Sequence, residues 1–182
     1  ATEFVLKEGK NIDFALTYEA EKSFVNFLEF INGNDNSKPY QVSTIFENKL
    51  YEISDRKNPE EHELNAIPDY GKLDISKLTE LGEIGTFRYW RPKNSRGSAV
   101  LSNKGCRARC SFCSVRNFNG KGVRAKSIQT VIDELKGLKE IYGINHITWL
   151  DDDLFFDRDR TLKLFNEIVR NNLNVTWDAS NG

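Results

Sequence analysis

Apolar and polar positions change rhythm along this chain, and the rhythm predicts its elements. Residues 12–18 (IDFALTY) alternate as a short strand does. Phe24, Phe27, Leu28 and Ile31 then recur at helical spacing, with Gly33 placed to stop the helix. Residues 40–54 read as two short strands turning at Glu47-Asn48-Lys49. From Asp55 to Pro68 the chain becomes charged and polar, a surface linker punctuated by Pro59 and Pro68. The next stretch, to about residue 96, shows only one short helix, near Leu73 to Leu81.

Beyond Gly97 the pattern is regular. SAVLSNK (98–104) predicts an apolar strand running straight into a cysteine-bearing loop. Ile128, Val131, Ile132, Leu135, Leu138 and Ile141 form one helical face, capped by Ser127 and ended by Gly143. HITWLDDD is a second strand. Leu162, Phe165, Ile168 and Val169 mark a second amphipathic helix that starts at Asp157 or Asp159, and NVTWDAS is a third strand. This βαβαβ order predicts parallel strands with right-handed crossovers. Parallel strands carry function at their C-terminal ends. Those ends are the cysteine loop, Asp151-Asp152-Asp153, and Asp178 to Asn181, all on one rim.

The chemistry is concentrated in the first of these. Cys106, Cys110 and Cys113 are the only sulfur-containing residues among 182, in the spacing C-x3-C-x2-C. Acidic and basic residues nearly cancel, to a formal charge of −1, which argues against a general nucleic-acid-binding surface. No apolar run approaches the ~18 residues of a membrane span, and no signal-peptide pattern opens the chain, so a cytoplasmic protein is the expectation. Clustered thiols in that setting bind metals or do redox chemistry more often than they form disulfides.

A structural zinc site takes four Cys or His ligands. Here the fourth is missing: His146 opens a strand, toward the far end of the sheet, and His62 lies in the polar linker. A Cys110–Cys113 redox pair leaves Cys106 unexplained. A 4Fe–4S cluster ordinarily takes four thiolates. With three, one iron keeps an open position for a substrate or cofactor. Arg107 and Arg109 could offset the negative charge of such a cluster, or be ordinary solvated loop charge.

CRARCSFC, with Phe112 just before the last cysteine, following a strand and leading into a βα repeat, resembles the radical S-adenosylmethionine (SAM) superfamily. The resemblance implies an α/β fold, a partial TIM-like (β/α) barrel of which this chain carries the first three strands, preceded by a small α+β connecting region. It further implies a 4Fe–4S cluster on Cys106, Cys110 and Cys113, and SAM bound to the open iron. Reductive cleavage of SAM then yields a 5′-deoxyadenosyl radical. Phe112 would pack beside the adenine or the cluster. Asp151, Asp152 and Asp153 occupy the position of the family's Gly-Gly-Glu-like segment without its glycines; Asp152 is the expected SAM contact, and helix capping is the competing role for these aspartates. Ser180 and Asn181 could reach the SAM ribose or carboxylate. No residue is assigned to later catalytic steps.

A narrower resemblance, to the cobalamin-binding radical SAM subgroup, spans nearly the whole chain. LTYEAEKSFVNFLEFING, FENKLYEI and NAIPDYGKLD resemble the pieces of that subgroup's connecting region, and ITWLDDDLF its second strand. It implies residues 1–95 as connecting region and 96–182 as the front half of the radical SAM core. The chain has no D-x-H-x-x-G cobalamin signature, so a cobalamin domain would lie upstream of Ala1. The absent initial methionine and the stop after a strand read as a fragment of a longer protein. The implied partners are a small-molecule substrate and an electron donor such as flavodoxin or ferredoxin. The alternatives are a methylthiotransferase or tRNA-modifying radical SAM enzyme, and a non-catalytic zinc or nucleic-acid-binding module.

Overall fold

The computed structural model describes residues 2–34, 36–81 and 94–179, and the chain divides into two compact units, residues 1–60 and 61–182.

In the first unit, helix α1 (Thr2–Glu8) precedes strand β1 (Phe14–Leu16), helix α2 (Glu21–Ile31) and the hairpin β2 (Val42–Phe46) and β3 (Lys49–Ile53). The order β1-β2-β3 is antiparallel throughout. Glu47 and Asn48 both take positive φ, the two-residue turn that suits the twist of a hairpin. Gln41 is buried at φ 56° but fully engaged: its amide donates to the carbonyls of Thr17 (2.9 Å) and Glu19 (3.0 Å), and its carbonyl accepts from the Lys57 amide (2.8 Å). The helical spacing in α2 is as expected, but the buried face is Ser23 and Phe27, with Phe27 against Phe14; Phe24, Leu28 and Ile31 stay exposed in this unit. Helix α1 had no counterpart in the sequence pattern.

The second unit begins with the one-turn α3 (Glu61–Leu64), a 3₁₀ turn at Tyr70–Lys72 and α4 (Ile75–Leu81). A parallel sheet follows: β4 (Gly97–Val100), β7 (His146–Trp149) and β8 (Thr176–Ala179), in that spatial order. Its crossovers run through α6 (Ile128–Tyr142) and α7 (Arg158–Arg170). Register places Ile147 and Trp149 on the helix-facing side, in a core with Val131, Leu135, Leu138 and Leu164. His146, Thr148, Thr176 and Asp178 share the opposite side.

Ser127 caps α6 by accepting from the Thr130 amide, and Gly143 ends it in the left-handed conformation. Ile141 is exposed, because a 3.6-residue stripe through Leu135 and Leu138 continues to the half-buried Tyr142. Asp157 caps α7 through the Arg160 amide, and the buried stripe is Thr161, Leu164 and Ile168; Leu162 and Val169 lie a step round the helix, in solvent.

Between β4 and α6 the structure departs from a single strand. The chain leaves the sheet after Val100, and β5 (Asn103–Cys106) pairs antiparallel with β6 (Gly122–Ala125), forming a separate two-stranded ribbon. The cysteine loop, with the one-turn α5 (Val115–Phe118), is the tip of that ribbon.

Candidate functional site

The ribbon is mounted at the C-terminal rim of the parallel sheet. Where it starts, Ser102 is fully buried; its amide reaches both carboxylate oxygens of Asp151 at 3.1 Å and its hydroxyl donates to one at 2.6 Å. Burial pushes the Asp151 carboxyl above the usual carboxylate range, and the bonds from Ser102 oppose that shift. Where the ribbon ends, the Lys126 amide donates to the Ser102 carbonyl at 2.9 Å. The two ends of the ribbon are thus tied to each other.

The other two aspartates hold the tip. Asp152 accepts from the Gly105 amide (3.2 Å) and from the Asn119 side-chain amide (2.6 Å), linking both sides of the loop. Asp153, buried, accepts from the Arg107 amide (3.3 Å) and guanidinium (3.1 Å), and lies 3.8 Å from Cys106 Sγ. Arg107 also donates to the Phe156 carbonyl. Arg116 donates to the Ala108 carbonyl and Arg124 to that of Asn119. None of the three aspartates caps α7; that role is Asp157's.

Cys106 is partly covered and accepts the Ala108 amide at 3.3 Å, whereas Cys110 and Cys113 are exposed; all three thiols are free. Phe112, at the loop tip, is 91% exposed. Among the described residues, no three Cys, His, Asp or Glu side chains converge where a single ion could sit. Three thiols in one loop, two of them exposed, are the donor type that an iron–sulfur cluster takes. His146 is remote from this chemistry: its ring nitrogens bond Thr176 Oγ1 (2.8 Å) and Asp178 Oδ2 (2.9 Å). Asp178, expected at the rim, is therefore turned to His146. Ser180 and Asn181 lie outside the described residues.

Sequence reasoning overlooked Ser102, Asn119 and Arg160. The hints were Ser102 interrupting an apolar strand and the glycines at 120 and 122, both at positive φ, where the second ribbon strand begins.

No protein-family model matches the chain. It is 27% identical, over 87% of its length, to cytidylyl-2-hydroxyethylphosphonate methyltransferase of Streptomyces wedmorensis, covering 33% of that protein. A ribosomal protein uS12 methylthiotransferase RimO of Campylobacter jejuni is 30% identical over 62% of the chain, which covers 28% of that protein. The radical SAM methyltransferase TsrM of Kitasatospora setae superposes on 93% of the chain with TM-scores of 0.69 (with tryptophan and a SAM analogue) and 0.65 (with cobalamin and a 4Fe–4S cluster), at 18% identity. The chain spans about a third of TsrM and of the phosphonate methyltransferase. The fold is that of part of TsrM, a mixed α/β arrangement whose parallel sheet is not closed into a barrel among the described residues.

Proposed function

We propose that this chain is the connecting region (1–95) and front half of the core (96–182) of a cytoplasmic, cobalamin-dependent radical SAM methyltransferase acting on a small molecule. The observation that carries the reading is the ribbon itself. It presents three free thiols at the C-terminal rim of a parallel sheet, with the loop's two sides held by carboxylates at the end of the next strand. The similarity to the phosphonate methyltransferase and to TsrM supports methyl transfer.

In this reading Cys106, Cys110 and Cys113 hold a 4Fe–4S cluster. When bound, that cluster supplies the electron for reductive cleavage of SAM, and cobalamin, held by another part of the protein, carries the methyl group. An outside electron donor such as flavodoxin or ferredoxin completes the system. The chain's own residues orient and shield. The Ala108 amide donates to Cys106 sulfur and fixes its direction. Arg107 sets a cation beside the first ligand while Asp153 fixes its direction. Phe112 is available to cover the adenine. Asp152, already on Gly105 and Asn119, has one carboxylate oxygen, Oδ1, with which to receive the SAM amino group while Oδ2 keeps the loop closed.

The test is anaerobic reconstitution with iron and sulfide, reduction, and electron paramagnetic resonance with and without SAM. The expected outcome is a reduced 4Fe–4S signal that shifts on adding SAM and vanishes in Cys110→Ala. Stoichiometric zinc with no cluster would overturn the reading. The similarity to RimO favours one second reading, a methylthiotransferase; sulfur transfer in place of methyl transfer by the reconstituted protein would select it.

A further inference from the structure

The side chain of Arg160, in the first turn of α7, sits where the ribbon meets the sheet. One terminal nitrogen donates to two main-chain carbonyls, Ser102 O at 3.1 Å and Lys126 O at 2.9 Å, and the other lies 3.5 Å from Ser102 Oγ. These two residues immediately precede β5 and follow β6. Asp151 takes the Ser102 amide and hydroxyl on the other side. The guanidinium lies over the Phe156 ring, 5.7 Å from its centroid, and its own amide is held by Asp157. Helix α7 is anchored to the core by Leu164 and Ile168.

Such an arrangement costs something that a surface arginine does not. Arg160 is partly buried, which disfavours its charge, and Asp151 and Asp157 offset that cost only in part. A planar guanidinium can serve two carbonyls from one nitrogen in a fixed geometry, which an ammonium on a flexible stem does poorly. An apolar side chain could fill this position on α7 at less electrostatic cost, but it could not hold two main-chain oxygens together.

We propose that Arg160, backed by Asp151, is a positioning residue that sets the seat of the cysteine ribbon on the barrel, and through that seat the placement of the three thiols relative to the rim. Other hydrogen bonds from the ribbon and its loop to the end of the next strand run from Asn103, Gly105, Arg107 and Asn119 to Asp152 and Asp153. Those hold β5 and the loop, whereas Arg160 bonds the residues at both feet of the ribbon, Ser102 before β5 and Lys126 after β6. The inference rests on the proposed function for its cluster readout, and on the fold alone for its exchange readout.

The experiment compares the full chain with Arg160→Leu, Arg160→Lys and Ser102→Ala, first without a cluster and then after reconstitution. Amide hydrogen exchange is followed separately for the ribbon (103–106 and 122–125) and the core (128–142 and 146–149). In Arg160→Leu, ribbon exchange should rise by about tenfold or more while core exchange stays within about twofold, because local openings are independent of global unfolding. Arg160→Lys should recover part of the protection, and Ser102→Ala, which empties little volume, should loosen the ribbon to a lesser degree. After reconstitution, Arg160→Leu should give a broadened or shifted reduced-cluster resonance and a weaker SAM-induced change, with partial return in Arg160→Lys. Ribbon exchange unchanged in Arg160→Leu would overturn the proposal, as would ribbon and core exchange rising together in all three variants. If the unmutated chain takes up no cluster, the proposed function fails while the exchange data still decide the seat.

Discussion

Gly105 and Gly122 approach so closely that a methyl group on Gly105 would lie 2.4 Å from the Gly122 carbonyl oxygen. Gly105 also takes φ +94°, a conformation that L side chains rarely adopt. Both constraints arise next to Cys106, which pairs with Gly122 in the ribbon register. Gly105→Ala should therefore pry the ribbon open at its cysteine end and lower stability by about 2–3 kcal/mol, strain and backbone clash together. Urea denaturation checks the stability. Iron content after reconstitution checks the site, and should fall well below that of the unmutated chain.

How much of this was legible in the sequence follows from the range over which each feature is decided. Helix α6 was readable to its caps, because Ser127, Gly143 and the apolar stripe are all local signals. The three thiols and the aspartates on one rim were also readable, since parallel strands put their C-terminal ends together. The ribbon was not. Its pairing of β5 with β6 bridges the whole cysteine loop, and the break after Val100 depends on Ser102 meeting Asp151, 49 residues away. The aspartates show the same limit: their position was evident, but not that each would hold a different part of the loop.

Asp151 has a pH signature. Burial raises its carboxyl in the folded chain, so the folded state holds that proton more tightly than the unfolded state does. Its contribution to stability is then greatest below pH ~4, declines as pH rises through the raised folded value, and is flat above it. Asp151→Asn removes this dependence. Melting temperatures of both proteins from pH 3 to 8 should converge at the acid end and diverge in favour of the variant as pH rises. A gap that narrows with rising pH would show the sign to be wrong.

Tyr70 reports on the segment before the barrel. Its hydroxyl donates to Glu134 Oε1 at 2.6 Å, and Glu134, buried on α6, receives Lys126 on its other oxygen at 2.8 Å. Burial and the neighbouring carboxylate push the phenol far above its ordinary range. Its contribution is present below pH ~10 and is lost as pH rises beyond that. Tyr70→Phe leaves a buried carboxylate oxygen short of a donor and should cost about 1.5–3 kcal/mol near neutral pH. Denaturation at pH 7 and 10.5 checks both points, the difference between the proteins shrinking at the higher pH.

The three thiols should not react alike. Cys110 and Cys113 are exposed, whereas Cys106 is partly covered, ends a ribbon strand and lies beside the Asp153 carboxylate. Access to the sulfur governs alkylation here. In the cluster-free chain, iodoacetamide followed by peptide mass analysis should modify Cys110 and Cys113 first and Cys106 several-fold more slowly. Asp153→Asn weakens the hold on Arg107 and the contact to Cys106, and should open this part of the loop and narrow the gap. After reconstitution, if one cluster takes all three as proposed, they should be protected together. Protection of only two would show that the third thiol is not a ligand, and uniform reactivity before reconstitution would show that the loop does not hold Cys106 as described.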